Sequence, residues 1–356
     1  MDAQAIEPRS VRQSPIAGSW YPGAPDALKQ TVDDYLAAAE FCVTDDELVS
    51  LISPCSGYLY SGQTAAYAYR QLEKRKYDTV VLVGPCQYDN FGPCAISAQE
   101  CYWTPLGAVE LDQEFIGALS KYIRVTRVER DHESSLEIQL PFLQRMLGDF
   151  KLVPIMLSLS FYFGGEITLG PCEQLASVLA ELARAKSVLF VASSCLSALT
   201  DYKAVKQFDA RTEELVSSFN VPKLVRYMWE TSECRAGGDA SIVTALLAAK
   251  SLGADHPRVL YRTNSGDVDG SRERAEYVVG YMAAGIYRSK KAKIPPPKKL
   301  LSLEVYEEQV QREQMEKWKR ASRESYAAGL VQKLEKDRRE MEKRLKQHMR
   351  EIGKYK

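Results

Sequence analysis

The chain predicts a single α/β domain with a central, mainly parallel or mixed sheet flanked by helices, and a C-terminal helical extension. Three observations carry that expectation. Short β-rich runs alternate with helical stretches through residues 1–289, the pattern of an α/β fold. "KKAKIPPPKKL" at 290–300 then breaks the pattern, and its three consecutive prolines favour an extended, semi-rigid spacer. Residues 301–356 are proline-free and rich in Glu, Lys, Arg, Gln and Met, a composition that favours helix. The expected division is therefore a domain at 1–289, a linker at 290–300 and a charged tail at 301–356.

The elements follow in order. "DALKQTVDDYLAAAE" reads as a helix and "ELVSLIS" as a strand. That strand stops at Pro54, turns through Cys55, Ser56 and Gly57, and enters the Ala/Tyr-rich helix "TAAYAYRQLEK". "DTVVLVG", "KLVPIMLS" and "SVLFVASS" are further β-branched runs suited to strands, with the helix "EQLASVLAELARA" before the last of them. "DASIVTALLAAKSLG" is helical. "HPRVLYRTNS" and "AEYVVGYMAAGIYR" close the domain as strands, although the second also suits a helix.

Composition excludes several classes. The 45% apolar content is that of a globular protein with a full core. No stretch approaches the ~18 apolar residues of a membrane span, and "MDAQAIEPRSVRQS" has neither a signal core nor the acid-poor look of a transit peptide. The eight cysteines (42, 55, 86, 94, 101, 172, 195 and 234) include no CxxC pair, which points to free thiols in a reducing, cytoplasmic compartment. The zero net charge is a cancellation. Residues 290–356 hold 20 basic against 11 acidic side chains, leaving 27 against 36 in the body, so a tail of +9 follows a body of −9.

Past Gly329 the tail spaces Val331, Leu334, Met341, Leu345 and Ile352 by alternating three- and four-residue steps, with Arg338 and His348 in the remaining slots. This is a short coiled-coil-like seam. A helix of that length is marginal alone in water, so the expectation is docking to a protein partner. Acidic residues interleaved with the basic ones, and the lack of a recognisable binding module, argue against nucleic acid.

Ligands of open α/β sheets gather at the carboxyl ends of the strands. Here those ends read Pro54-Cys55, Gly84-Pro85-Cys86 and Ser193-Ser194-Cys195. Six motifs surround them: "IAGSWYPGAPDAL", "SPCSGYLYSGQTAAYAY", "VLVGPCQYDNFGPCAIS", "DHESSLEIQLPFLQ", "FVASSCLSALTDY" and "CRAGGDASIVTALL". Their order and spacing resemble the Memo family over residues 12–288. The resemblance implies an α/β fold like that of the class III extradiol dioxygenases, with a pocket of histidines, an aspartate and a cysteine suited to a divalent metal.

The departures from that family concern the pocket. A family Pro-His-Ala-Gly-Tyr stands here as Pro54-Cys55-Ser56-Gly57-Tyr58, and Gly-Pro-Ser-His as Gly84-Pro85-Cys86-Gln87. Glu-His-Ser-Leu has become Glu133-Ser134-Ser135-Leu136, and Ser-Ser-Asp-x-Ser-His has become Ser193-Ser194-Cys195-Leu196-Ser197-Ala198. Cys234 alone keeps a residue implied as a ligand. Oxygen-activating iron wants imidazole and carboxylate ligands, yet the body has only His132 and His256, the former in a polar turn and the latter before Pro257. Asp131/Glu133 and Asp45/Asp46/Glu47 read as solvated turn carboxylates, and no phosphate-binding glycine spacing occurs. The tyrosines of "YLYSGQTAAYAYRQ" suit packing of their helix on the sheet better than stacking on a ligand.

The expectation is thus a non-catalytic Memo-like scaffold without a resident cofactor, placed in a larger assembly of cytoskeletal, axonemal or ciliary type. The alternatives are a zinc site built from Cys55, Cys86, Cys195 and Cys234, four thiolates being a closed tetrahedral set, and a reactive thiol at Cys55 or Cys234.

Overall fold

The computed structural model describes residues 10–86, 91–158, 162–163, 166–167, 169–231, 237–272 and 277–313, together with positions 315, 316, 319, 336, 339, 341 and 343. Two compact units divide the chain, Met1–Leu300 and Leu301–Lys356. In the second unit residues 303–313 are helical.

The first seven strands are β1 (Val11–Arg12), β2 (Glu47–Ser53), β3 (Thr79–Pro85), β4 (Cys94–Ser97), β5 (Cys101–Thr104), β6 (Gly107–Glu110) and β7 (Thr126–Val128). The rest are β8 (Lys151–Leu157), β9 (Tyr162–Phe163), β10 (Glu166–Ile167), β11 (Val188–Ser193), β12 (Ala198–Leu199), β13 (His256–Asn264) and β14 (Val278–Arg288). Five helices come early: α1 (Pro25–Ala38), α2 (Tyr58–Tyr69), α3 (Gln113–Leu119), α4 (Ser134–Glu137) and α5 (Leu140–Leu147). Five come late: α6 (Gly170–Ala183), α7 (Tyr202–Ser217), α8 (Val221–Glu230), α9 (Asp239–Ser251) and α10 (Ser265–Asp269).

The main sheet is mixed, as predicted, and runs β12-β14-β2-β11-β3-β8-β4-β7, with β13 on β14. Its centre, β2-β11-β3-β8, is parallel. These strands are apolar almost without a break because both of their faces are buried. β14 runs antiparallel between β2 and β13, so the ambiguous "AEYVVGYMAAGIYR" run resolves as a strand. Helix α9, apolar on all sides, covers β2, β11 and β3 and is itself covered by α6. Helix α2 packs on β2, β13 and β14, with α1 against it. Its Tyr58 and Tyr69 are buried packing residues, as expected, while Tyr67 stacks on Tyr261 with ring centroids 4.4 Å apart. The small β1-β5-β6 sheet and helices α7 and α8 are additions that the sequence pattern does not anticipate.

One expectation is corrected. Asp131 and Glu133 are buried rather than solvated, because Arg12 on β1 reaches across to them. Arg12 lies 3.0 Å from Asp131, pairs with Glu137, and donates to the Glu133 carbonyl at 2.8 Å. Its guanidinium covers the Tyr102 ring at 4.5 Å, and the Tyr102 hydroxyl donates to Asp131. Glu137 also accepts hydrogen bonds from Ser14 and, at 2.5 Å, from Tyr21. The carboxylates of Asp131 and Glu137 therefore each have a cation and at least one further donor, the condition under which burial is tolerated, and that of Glu133 accepts from Ser135 N at 3.0 Å. Asp45 and Glu47 are exposed, as expected.

Removing the cation would strand two buried carboxylates. Arg12→Met should lower the unfolding free energy by about 3–5 kcal/mol, read as a fall in the urea midpoint of the full chain. An unchanged midpoint would show that the network carries little of the stability.

Candidate functional site

Register places the site. Ser53 of β2 lies opposite Ser193 of β11, and Ala192 of β11 opposite Val83 of β3. Cys55, Cys195 and Cys86 therefore leave three neighbouring parallel strands at one level. Gln139, buried beneath them, fixes the first two ends. Its Nε2 donates to the Pro54 carbonyl and to Ser193 Oγ, each at 2.8 Å, and its Oε1 accepts from Tyr69 at 2.7 Å. Ser193 in turn donates to the Ser135 carbonyl at 2.6 Å.

Cys55 and Cys195 meet. Their sulfurs are 2.8 Å apart, with the Cys55 thiol donating. Each backbone N–H also points at the other residue's sulfur, Cys55 N at 3.3 Å and Cys195 N at 3.1 Å. Ser56 Oγ approaches Cys195 Sγ at 3.3 Å. Tyr281 completes the cluster, and Val279 packs against it. The hydrogen bond from Cys55, aided by Ser56 and a backbone donor, lowers the Cys195 pKa against the effect of burial. Donation to Cys195 and burial raise that of Cys55. Cys195 is thus the acidic member of the pair.

The other expected positions are placed differently. Cys86 packs against the main core, and its N–H bonds the Leu157 carbonyl at 2.9 Å, on the β8 side. Ser134 is buried at the start of α4, while Ala198 is exposed in β12. Gln87, Cys234 and the tail positions Val331, Leu334, Leu345 and Ile352 lie outside the described residues. His132 is exposed. His256 pairs with Tyr287, which itself pairs with Leu48, so it sits at the opposite end of the sheet from Cys55. There it contacts Asp255 at 2.7 Å and Asp46 at 3.2 Å. Cys94 and Cys172 are core thiols, each pushed up to about 12 by burial.

Among the described residues, no three His, Cys, Asp or Glu side chains converge as a metal-holding group. The described side chains bonded at the Cys55–Cys195 pair are two thiols and a hydroxyl, and the neighbouring carboxylates Glu133 and Asp209 act on them electrostatically, with neither body histidine among them. They do not fit an oxygen-activating iron centre, which takes imidazole and carboxylate ligands.

The chain beyond Cys195 is held by a residue with no sequence signature. Leu196 N–H bonds the Gly280 carbonyl at 2.8 Å, and Gly280 N–H bonds that of Ser197 at 2.8 Å. Buried Asp209 accepts from Ser197 N at 3.1 Å and from Ser197 Oγ at 2.5 Å. It presses on Gly280 so closely that a Cβ there would lie 1.7 Å from Asp209 Oδ2. Nearby, a Cβ at Gly238 would lie 2.7 Å from the Ser193 carbonyl, so the glycine before α9 is equally dictated by space. Sequence reasoning also leaves Gln139 and Tyr281 unmarked, the one inside a quoted motif and the other in a closing strand.

β11 lies between β2 and β3 although it follows both in the chain, which makes their carboxyl ends a topological switch point. Fold and site therefore define an α/β protein whose cysteine pair lies at the strand ends where such sheets bind ligands. The chain belongs to the Memo family: the description "Memo-like protein" matches residues 12–285. A MEMO1 family protein of Archaeoglobus fulgidus is 34% identical over 280 residues, spanning 78% of this chain and 98% of that protein. One from Methanococcoides burtonii is 31% identical over 284 residues, spanning 77% and 98%. One from Nitrosopumilus maritimus is 28% identical over 281 residues, again spanning 77% and 98%. Residues 286–356 lie beyond the family match.

Two outcomes follow from Asp209. Burial raises its pKa to about 6, above the ~3.9 of an unfolded chain. The folded state then holds the proton more tightly. The resulting stabilisation is full below the unfolded pKa and is lost as pH rises through about 6, amounting to about 2–3 kcal/mol. Asp209→Asn should flatten the change in urea midpoint between acid and neutral pH, and an unaltered slope would refute the assignment. Gly280→Ala should cost at least the ~1–3 kcal/mol of an overpacked site, and the same titration reads it.

Proposed function

We propose that this chain is a non-catalytic Memo-family protein, an interaction scaffold in a larger assembly that docks through its C-terminal helix. The observation that carries the reading is the mutual bonding of Cys55 and Cys195. The family pattern implies a histidine and an aspartate at these positions, and two thiols turned towards each other replace them. The far position of His256, at the opposite end of the sheet from Cys55, and the exposure of His132 support this reading.

Docking is supported by the second unit, which falls outside the family match. It exposes the apolar side chains Leu301, Val305, Met315 and Met341, the last 70% exposed. A tail of charge +9 beside an apolar seam suits a protein surface that offers acidic groups around an apolar groove. A cytoskeletal or axonemal assembly is the setting in which such a docked scaffold would serve. No helix among the described residues is long and apolar enough to cross a membrane.

Deletion of residues 290–356 tests the proposal. The truncated chain should leave its native complex, read by sedimentation of cell extract, while remaining folded by circular dichroism. Entry into that complex with unchanged affinity would sink it. Metal analysis of the reduced full chain supplies the second arm. Near-stoichiometric zinc that disappears in a Cys55→Ala, Cys234→Ala double variant would replace the scaffold reading with the four-thiolate site.

A further inference from the structure

We propose that Cys55 and Cys195 form a reversible dithiol–disulfide site whose oxidant is a small peroxide. The inference goes beyond the scaffold reading and does not depend on the tail. It rests on how β2 and β11 end. Neighbouring strands lie ~4.8 Å apart, inside the ~4.4–6.8 Å between Cα atoms that a disulfide spans. Ser53 and Ser193 are in register, so Cys55 and Cys195 lie two residues past a matched pair. Their sulfurs already stand 2.8 Å apart, and a bond needs them only to close to about 2.05 Å.

The surroundings hold the pair ready. Gln139 clamps both strand ends through the Pro54 carbonyl and Ser193 Oγ. The backbone N–H of each cysteine faces the opposite sulfur. Ser56 adds a hydroxyl beside Cys195. Cys101 and Cys172 differ, their sulfurs lying 3.9 and 4.0 Å from backbone carbonyls of Ser10 and Ala240.

Access decides the oxidant. Cys55 is 6% and Cys195 8% exposed, too little for a protein thiol or a bulky disulfide to reach, so hydrogen peroxide or a comparably small hydroperoxide is the class that fits. The Cys195 thiolate attacks one peroxide oxygen and the O–O bond breaks. With one proton taken up, this gives a sulfenic acid at Cys195 and a water. The Cys55 thiol then attacks the sulfenic sulfur, the S–S bond forms, and the hydroxyl leaves as a second water with the Cys55 proton. The net change is two thiols and one hydrogen peroxide giving one disulfide and two waters. A small dithiol returns the two electrons and two protons. The bond would join residues 140 apart in the chain, tying the turn into α2 to the segment that crosses to β14.

The test uses the full chain, reduced, desalted and exposed to a small excess of hydrogen peroxide, then denatured and alkylated. Free thiols should fall from eight to six. Peptide mapping should find Cys55 joined to Cys195, and dithiothreitol should restore all eight thiols. In Cys55→Ser a sulfenic acid should persist at Cys195 and be trapped by dimedone, whereas Cys195→Ser should give neither product. The wild-type map stands even if a variant fails to fold. The proposal is overturned if Cys55 and Cys195 stay alkylatable while the partly exposed Cys42 or Cys86 oxidises. Separate sulfinic acids with no linked peptide would overturn it as well. So would bound zinc that shields both thiols until a chelator removes it. Bound zinc would count against both proposals, whereas the oxidation results leave the need for the tail in assembly untouched and so distinguish the two.

Discussion

Parallel pairing of β2 with β11 sets Ser53 against Ser193, and the site depends on that match. Side chains alternate across a strand, so a slip of one residue would carry the whole set to the opposite face. The pairing is protected from slipping in two ways. Both strands are apolar on both faces and lie between helices, so α9 and α2 hold them from above and below β2. At the ends, where apolar packing gives way to turns, Gln139 bonds one group from each strand. A single amide thus joins the Pro54 turn to the last residue of β11, and the two cysteines inherit their distance from it.

The polar groups around this frame divide by how their charge is met. Asp131 and Glu137 are buried beside Arg12 and remain paired. Asp209, also buried, has hydrogen bonds from Ser197 and only a distant cation in Arg262, and its pKa rises accordingly. The first arrangement ties β1 to the turn before α4 and to α4 itself. The second holds the crossing from β11 to β14. The second therefore borders the cysteine pair, since Ser197 stands two residues past Cys195.

The fold was legible where one force dominated. The runs "ELVSLIS", "DTVVLVG", "KLVPIMLS" and "SVLFVASS" became β2, β3, β8 and β11 because interior parallel strands must be apolar on both faces. Helices α7 and α8 are not anticipated by the alternation of the quoted runs, although each is amphipathic and buries one face. The burial of Asp131 and Glu133 is likewise hidden in the sequence. Their burial depends on Arg12, about 120 residues earlier, and no local pattern announces a partner at that distance. At the pocket the motifs located Cys55 and Cys195 but not their contact. That contact follows from strand order: β11 falls between β2 and β3, an arrangement set by the whole sheet.

The pairing also gives a physical reason why cysteines at 55 and 195 suit each other. A thiol at position 55 facing a carboxylate at 195 would leave a buried charge without cation or metal, which is expensive. An imidazole at 55 facing a thiol at 195 would need more room than the sulfur contact leaves. Two thiols avoid both costs, because each is small, neutral when protonated, and able to give or take a weak hydrogen bond. The pair is therefore buried without a stranded charge, and its two sulfurs stand at a separation that a modest movement converts into a covalent bond. Cys55 and Cys195 are on this account a matched pair, and the register of β2 with β11 is what brings their sulfurs together.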